Sequence, residues 1–284
     1  MPPTRLPRPR LVIFDLDGVV YRGDQAVAGA PELIARLRDS GVIVRFATNN
    51  SMRLPADFAR QLEGLGVAAR ADEIVTSTTA TIEHLQRHLR EVRRVLAVGE
   101  PGLCSMLSGA GYETVPAAAA GPQVPDGSPL PATYDAVVAG LDLHFGFGSL
   151  ASAQAAILAG ARFIATNNDG RYPTQRGVLP GAGSVIAAIA TATGVAPTVI
   201  GKPEPGMFVS ILEQTDVDAS EALVIGDNPD SDVIAANRAG IRCALVLTGV
   251  ADADIVGRLS GERRPWIVAT DPIALAVRFE PWLS

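Results

Sequence analysis

Short apolar runs, many of them β-branched, recur at residues 11–14, 42–47, 95–98, 136–139, 163–165, 198–200, 222–225, 242–247 and 266–268. Helix-period segments lie between them, such as 30–39, stopped by Ser40-Gly41, and 231–239, stopped by Gly240. Alternation of this kind predicts an α/β fold in which helices flank a parallel sheet. Residues 177–201 carry no charge and are long enough to span a hydrocarbon core. Pro180, Pro197 and several glycines divide that stretch, so the pattern predicts a turn, a small-residue helix at 184–193 and a strand at 198–200 instead.

Four predicted strands end in polar residues: Phe14-Asp15-Leu16-Asp17-Gly18, Ala47-Thr48-Asn49-Asn50-Ser51, Ile200-Gly201-Lys202-Pro203 and Ile225-Gly226-Asp227-Asn228. Ligands of open parallel sheets bind beyond the carboxyl ends of strands, so these tips are expected to form one site. Roughly 150 residues, about one domain's worth, separate the second tip from the third. An inserted domain is therefore expected at 81–180, within a discontinuous core of 1–80 and 181–284. Residues 116–131, rich in alanine, glycine and proline, read as an irregular crossing.

Composition narrows the function. The 284 residues are 48% apolar and 19% charged, which excludes disorder as the main state. A formal charge of −6 argues against broad attachment to nucleic acid or to an acidic membrane surface. Cys104 and Cys243 form no metal or disulfide pattern, and a reducing cytoplasm is the expected compartment. Asp15 interrupts the first apolar run too early for a secretory leader.

Asp15 and Asp17 stand at alternate positions on a strand exit, where extended geometry would place both carboxylates on one side. Their repulsion calls for a cation, and magnesium suits oxygen ligands when a substrate brings phosphate. Asp227 could supply a further ligand. His84 and His88, four apart on a predicted helix, read as solvated helix histidines, and the two cysteines as small buried fillers.

Asp15-Leu16-Asp17-Gly18-Val19-Val20-Tyr21 resembles the first signature of the haloacid dehalogenase-like (HAD) phosphatases. Thr48-Asn49-Asn50-Ser51, Gly201-Lys202-Pro203 and Gly226-Asp227-Asn228-Pro229-Asp230-Ser231-Asp232 resemble the other three, in the family's order. The insertion, with Val137-Val138-Ala139-Gly140-Leu141-Asp142 and Ala165-Thr166-Asn167-Asn168-Asp169, is similar to the α/β cap of the branch holding NagD, phosphoglycolate phosphatase and pyridoxal phosphatase.

The resemblance implies a Rossmann-like parallel-sheet core, an inserted cap and hydrolysis of small-molecule phosphate monoesters. Asp15 would be the nucleophile and Asp17 the acid and base. Thr48, Asn49, Asn50 and Lys202 would hold the phosphoryl group. Magnesium would be held by Asp15, the Asp17 carbonyl and Asp227, with Asp232 and Asn228 in support. Tyr172, with Arg171 as the second candidate, would contact the leaving group, and association would be as a homodimer through the cap. A phosphomutase and a non-catalytic phosphometabolite-binding protein are the competing readings.

Overall fold

A computed structural model describes residues 8–120, 133–174 and 177–283, and the chain divides into two compact units. The first gathers the chain up to Thr48, Pro55–Val75 and everything from Lys202 onward. Its six-stranded sheet has the order Ile267–Ala269, Arg242–Val246, Ala222–Gly226, Leu11–Asp15, Ile43–Thr48, Ile74–Thr76. The pairings among the first five of these are parallel.

Leu11–Asp15 is the central strand: Phe14 lies opposite Ile225 on one side and Phe46 on the other. The chain leaves this strand in one direction toward Ile43–Thr48 and later fills the sheet in the other. That change of direction is the topological switch point, and it sets the ends carrying Asp15 and Asp227 side by side. Continuous apolarity follows from burial on both faces, with Leu11, Val12, Ile13 and Phe14 wholly buried. Phe14, Phe46, Leu33, Leu37 and Phe279 belong to one hydrophobic cluster. Burial of each such side chain contributes about 1.5–3 kcal/mol, so the strand ends rest on a well-packed support.

Helix Ala30–Asp39 occurs where its periodicity predicts, burying Leu33, Ile34 and Leu37. The helix expected at 231–239 begins earlier, as a π-helical turn at Pro229–Val233 that continues into the α-helix Ile234–Arg238. Beyond Asp15 the amides of Val19, Val20 and Tyr21 all donate to the Leu16 carbonyl. A small antiparallel hairpin, Tyr21–Arg22 with Gln25–Ala26, follows that turn.

The second unit comprises Asn49–Leu54 and Thr76–Gly201. Its five-stranded sheet, all parallel, has the order Thr198–Val199, Arg162–Ala165, Ala136–Ala139, Arg94–Val98, Glu113–Pro116. The expected boundary at residue 180 is corrected here. Helix Ala182–Thr193 buries Val185, Ile186 and Ile189 in this unit's core, and Thr198–Val199 pairs with Ile164 and Ala165. The hairpin Arg171–Thr174 with Gly177–Pro180 was not anticipated. Of the expected crossing at 116–131, Glu113–Pro116 is a strand and Ala117–Ala120 a short helix, and the part from 121 lies outside the described residues. Among the described residues no helix is long and apolar enough to cross a membrane; the uncharged stretch is a hairpin strand, a 12-residue helix and a short strand.

Candidate active site

In the first unit two strand ends, carrying Asp15 and Asp227, join the π-helical turn that holds Asp232 and the segment that opens with Lys202, bringing three carboxylates and one ammonium together. Lys202 Nζ lies 2.5 Å from Asp15 Oδ1 and 2.7 Å from Asp232 Oδ1. The three side chains are 3%, 12% and 1% exposed, so water screens their charges little. Asp232 Oδ2 accepts the N–H groups of Asp227 and Asn228, at 3.2 and 3.1 Å. That carboxylate therefore ties the lysine to the end of strand Ala222–Gly226. Gly226 allows the approach, because a Cβ there would stand 2.3 Å from Asp232 Cβ. Asn228 caps the π-helical turn, its Oδ1 accepting the Asp230 N–H at 2.9 Å.

Carboxylate oxygens of Asp15, Asp227 and Asp232 lie within 4.8 Å of one another. Burial is the main force raising the pKa of Asp15 to about 7; Lys202 opposes it and the Asp232 charge adds to it. Asp227 is raised to about 8, again by burial first and then by Asp232 and Asp15. Burial alone would lower Lys202, yet the two carboxylates beside it hold it above the ordinary lysine range. Three acids facing one base leave a deficit of positive charge that a divalent cation would offset.

The expected crowding of Asp15 by Asp17 is corrected. Asp17 lies past the strand end, outside the carboxylate group, in a bridge with Tyr21. Its carboxyl is raised above the ordinary range by partial burial, with Arg22 opposing. The like charge nearest in effect on Asp15 is Asp232, because the chain turns after Leu16 instead of continuing extended. Thr48 is the buried last residue of its strand, one position beyond the Asp15 and Ala47 pair.

The remaining predicted contacts belong to the second unit. Asn49 Nδ2 donates to Asp169 Oδ2 at 2.9 Å, while its carbonyl accepts from Ser77 Oγ and Asn167 Nδ2. Asn50 Oδ1 accepts the N–H groups of Met52 and Arg53, so its side chain shapes the loop before helix Pro55–Gly64. The next helix, Pro55–Gly64, begins seven residues after Thr48. Tyr172 is half-buried and Arg171 exposed on the hairpin, where Tyr172 faces Leu179.

Residues 12–113 match the model of haloacid dehalogenase-like hydrolases, and residues 199–272 a second model of HAD-like hydrolases. The chain is 37% identical to D-glycerol 3-phosphate phosphatase of Mycobacterium tuberculosis over 92% of this chain and 69% of that one. It belongs to the haloacid dehalogenase-like hydrolases. An acid sugar phosphatase of Staphylococcus saprophyticus is 34% identical over 87% of this chain and 90% of its own. Among solved structures, glycerol phosphate phosphatase of M. tuberculosis in complex with magnesium superposes with a TM-score of 0.82 at 36% identity, covering 94% of this chain and 76% of that one. NagD from Escherichia coli gives 0.81 at 28% identity, covering 94% and 98%, in keeping with the NagD-like branch of the HAD hydrolases.

One part of this HAD site escaped the sequence reading. The segment after strand Arg242–Val246 approaches Asp227 closely: Val250 N–H donates to Asp227 Oδ2 at 2.6 Å, and Ala251 N–H to its carbonyl at 3.0 Å. A Cβ on Gly249 would stand 1.9 Å from Asp227 Oδ2, so glycine is required there. Gly18, at φ +84°, meets the same carboxylate from the opposite loop. A fifth polar strand end, Leu247-Thr248-Gly249-Val250, was the available signal.

Proposed function

We propose that this chain is a magnesium-dependent phosphatase of small phosphate monoesters, with Asp15 as its nucleophile. The observation that carries the reading is the buried Lys202 ammonium shared by Asp15 and Asp232 at a strand-end switch point. A lysine so placed fixes the attacking carboxylate and presents positive charge to phosphoryl oxygens.

The donor set fits magnesium. Oxygen ligands cluster, burial and then the neighbouring carboxylates raise Asp15 and Asp227, and Asp227 commits only Oδ2 to Val250. Asp15, Asp227 and the Asp17 carbonyl would hold the ion, which when bound supplies charge neutralisation between anionic carboxylate and anionic ester. Asp232 has both oxygens engaged by Lys202 and backbone amides, and its part is to hold the lysine.

In the first displacement a bond forms between an Asp15 carboxylate oxygen and phosphorus as the bond from phosphorus to the alcohol oxygen breaks. Asp17 gives its proton to that oxygen, and its raised pKa favours the protonated form needed. In the second, water attacks the aspartyl-phosphate, Asp17 takes a proton from it, and inorganic phosphate leaves with Asp15 restored. The Thr48 hydroxyl, at the neighbouring strand end, donates to a phosphoryl oxygen. Aliphatic esters are the favoured class, since their leaving groups are poor without a proton donor. The names of the relatives, a glycerol phosphatase and a sugar phosphatase, support that class.

The test is phosphate release by the full chain with magnesium over glycerol phosphates, sugar phosphates and nucleoside monophosphates. Turnover of aliphatic esters is expected, with loss of about a thousandfold or more in Asp15→Asn. No release from any ester, or parental speed in Asp15→Asn, overturns the reading.

A further inference from the structure

Asp17 occupies an exposed position past its strand, and the direction of its carboxyl is set by the backbone of the turn that carries it. Gly18 is the next residue, and both of its main-chain polar atoms are held. Its N–H donates to the Tyr21 carbonyl at 2.7 Å, within the turn. Its carbonyl accepts from Thr248 Oγ1 at 2.5 Å, across 230 residues of sequence. The first contact fixes the peptide plane between Asp17 and Gly18, and the second fixes the plane that follows.

The segment carrying Thr248 is itself anchored. Leu247 N–H donates to the carbonyls of Ala269 and Thr270, and Val250 N–H to Asp227 Oδ2. Gly249 packs against Gly18 so closely that a Cβ on Gly18 would lie 3.0 Å from its Cα. A rigid strand exit thus holds the Asp17 turn and the Asp227 carboxylate in one grip. A catalytic proton donor must stay within hydrogen-bond reach of its acceptor, and small displacements of it are costly.

We propose that Thr248 is a positioning residue for the proton donor Asp17, acting through the Gly18 carbonyl; the inference rests on the phosphatase reading above. It predicts a selective defect. An alkyl leaving group needs the proton from Asp17, whereas the nitrophenolate of p-nitrophenyl phosphate leaves readily without one. Because kcat/KM includes steps only through transfer to Asp15, the later use of Asp17 as a base does not blur the comparison.

The experiment measures kcat/KM with magnesium for glycerol phosphate and p-nitrophenyl phosphate in the parent, Thr248→Val, Thr248→Ala and Thr248→Ser. Valine preserves shape without a donor, alanine serves if valine folds poorly, and serine restores the hydroxyl. Valine or alanine should lose about tenfold on glycerol phosphate and less than about twofold on the nitrophenyl ester, with serine near the parent on both. Amide hydrogen exchange at residues 17–21, measured without metal, should quicken in valine and alanine and return in serine. Equal loss on both esters, no loss on glycerol phosphate, or unchanged exchange overturns the role of Thr248 while leaving the phosphatase standing. A parent inactive on both esters overturns both.

Discussion

Each unit of this chain has a parallel sheet, and each gathers three side chains of metal-ligating type near the carboxyl ends of its strands. In the second unit they are Glu100, Asp142 and His144. There His144 is 85% exposed, its Nδ1 is 3.5 Å from Glu100 Oε1, and Glu100 and Asp142 are engaged by the N–H groups of Leu143 and His144. In the first unit Asp15, Asp227 and Asp232 surround a lysine that is nearly devoid of solvent contact. Topology offers a ledge for ligands in both, but the cationic partner is a solvent-exposed histidine in one and a buried lysine in the other. Only charges held away from water act at full strength on a substrate.

The strongest challenge to that contrast is Lys202→Met. Three buried carboxylates would then lack their counter-charge. Phosphatase activity should fall about a thousandfold, and breaking the buried pair should cost about 3–5 kcal/mol at pH 8. Urea unfolding in chelator should show a smaller loss at pH 5.5, where Asp15 and Asp227 are protonated and need no partner. A loss below about 1 kcal/mol at pH 8 would place the lysine among ordinary surface pairs.

A pH series with and without magnesium sharpens the contrast. Asp15 and Asp227 titrate near 7 and 8 when folded, against an ordinary 3.8. Between about pH 4 and 8 the folded state binds more protons than the unfolded chain, so without cation their contribution to stability falls as pH rises through that window. Magnesium binds the ionised forms, and its stabilisation should grow from pH 5.5 to 8.5, reaching about 5 °C in Tm at saturating metal. A metal shift independent of pH would contradict the assignment of these two acids as ligands.

The smallest effect is expected in the second unit. Asp142 is raised chiefly by burial, with Glu100 adding to it, so Asp142→Asn removes a like-charge neighbour while keeping an acceptor for His144 N–H. Stability should stay within about 0.5 kcal/mol and kcat within about twofold. A tenfold loss of activity would show that this group also serves catalysis.

Strands buried on both faces were legible, because nothing but apolar residues fits them: 11–14, 136–139 and 222–225 lie within a residue or so of Leu11–Asp15, Ala136–Ala139 and Ala222–Gly226. Glu113–Pro116, at a sheet edge, and the exposed hairpin Gly177–Pro180 carry no such mark, since half or more of each faces water. At the site, Asp15, Lys202 and Asp227 were visible as polar tips on apolar strands, whereas Asp232, inside the turn Pro229–Val233, was marked only by the family resemblance. The turn that follows Leu16 and carries Asp17 was not visible, because it is made by three amides converging on one carbonyl. Thr248 and Val250 were hidden for the same reason: their contacts run through main-chain atoms that every residue possesses.

The central strand has a further consequence during synthesis. Phe14 leaves the ribosome roughly 210 residues before Ile225, its neighbour in the sheet, which is about 10–40 s at ordinary elongation rates. Throughout that interval one edge of the most apolar strand is unpaired, as is the acid that ends it, and the intervening second unit has time to complete itself first. Nascent chains stalled inside residues 202–221 should accordingly be the species most dependent on chaperones.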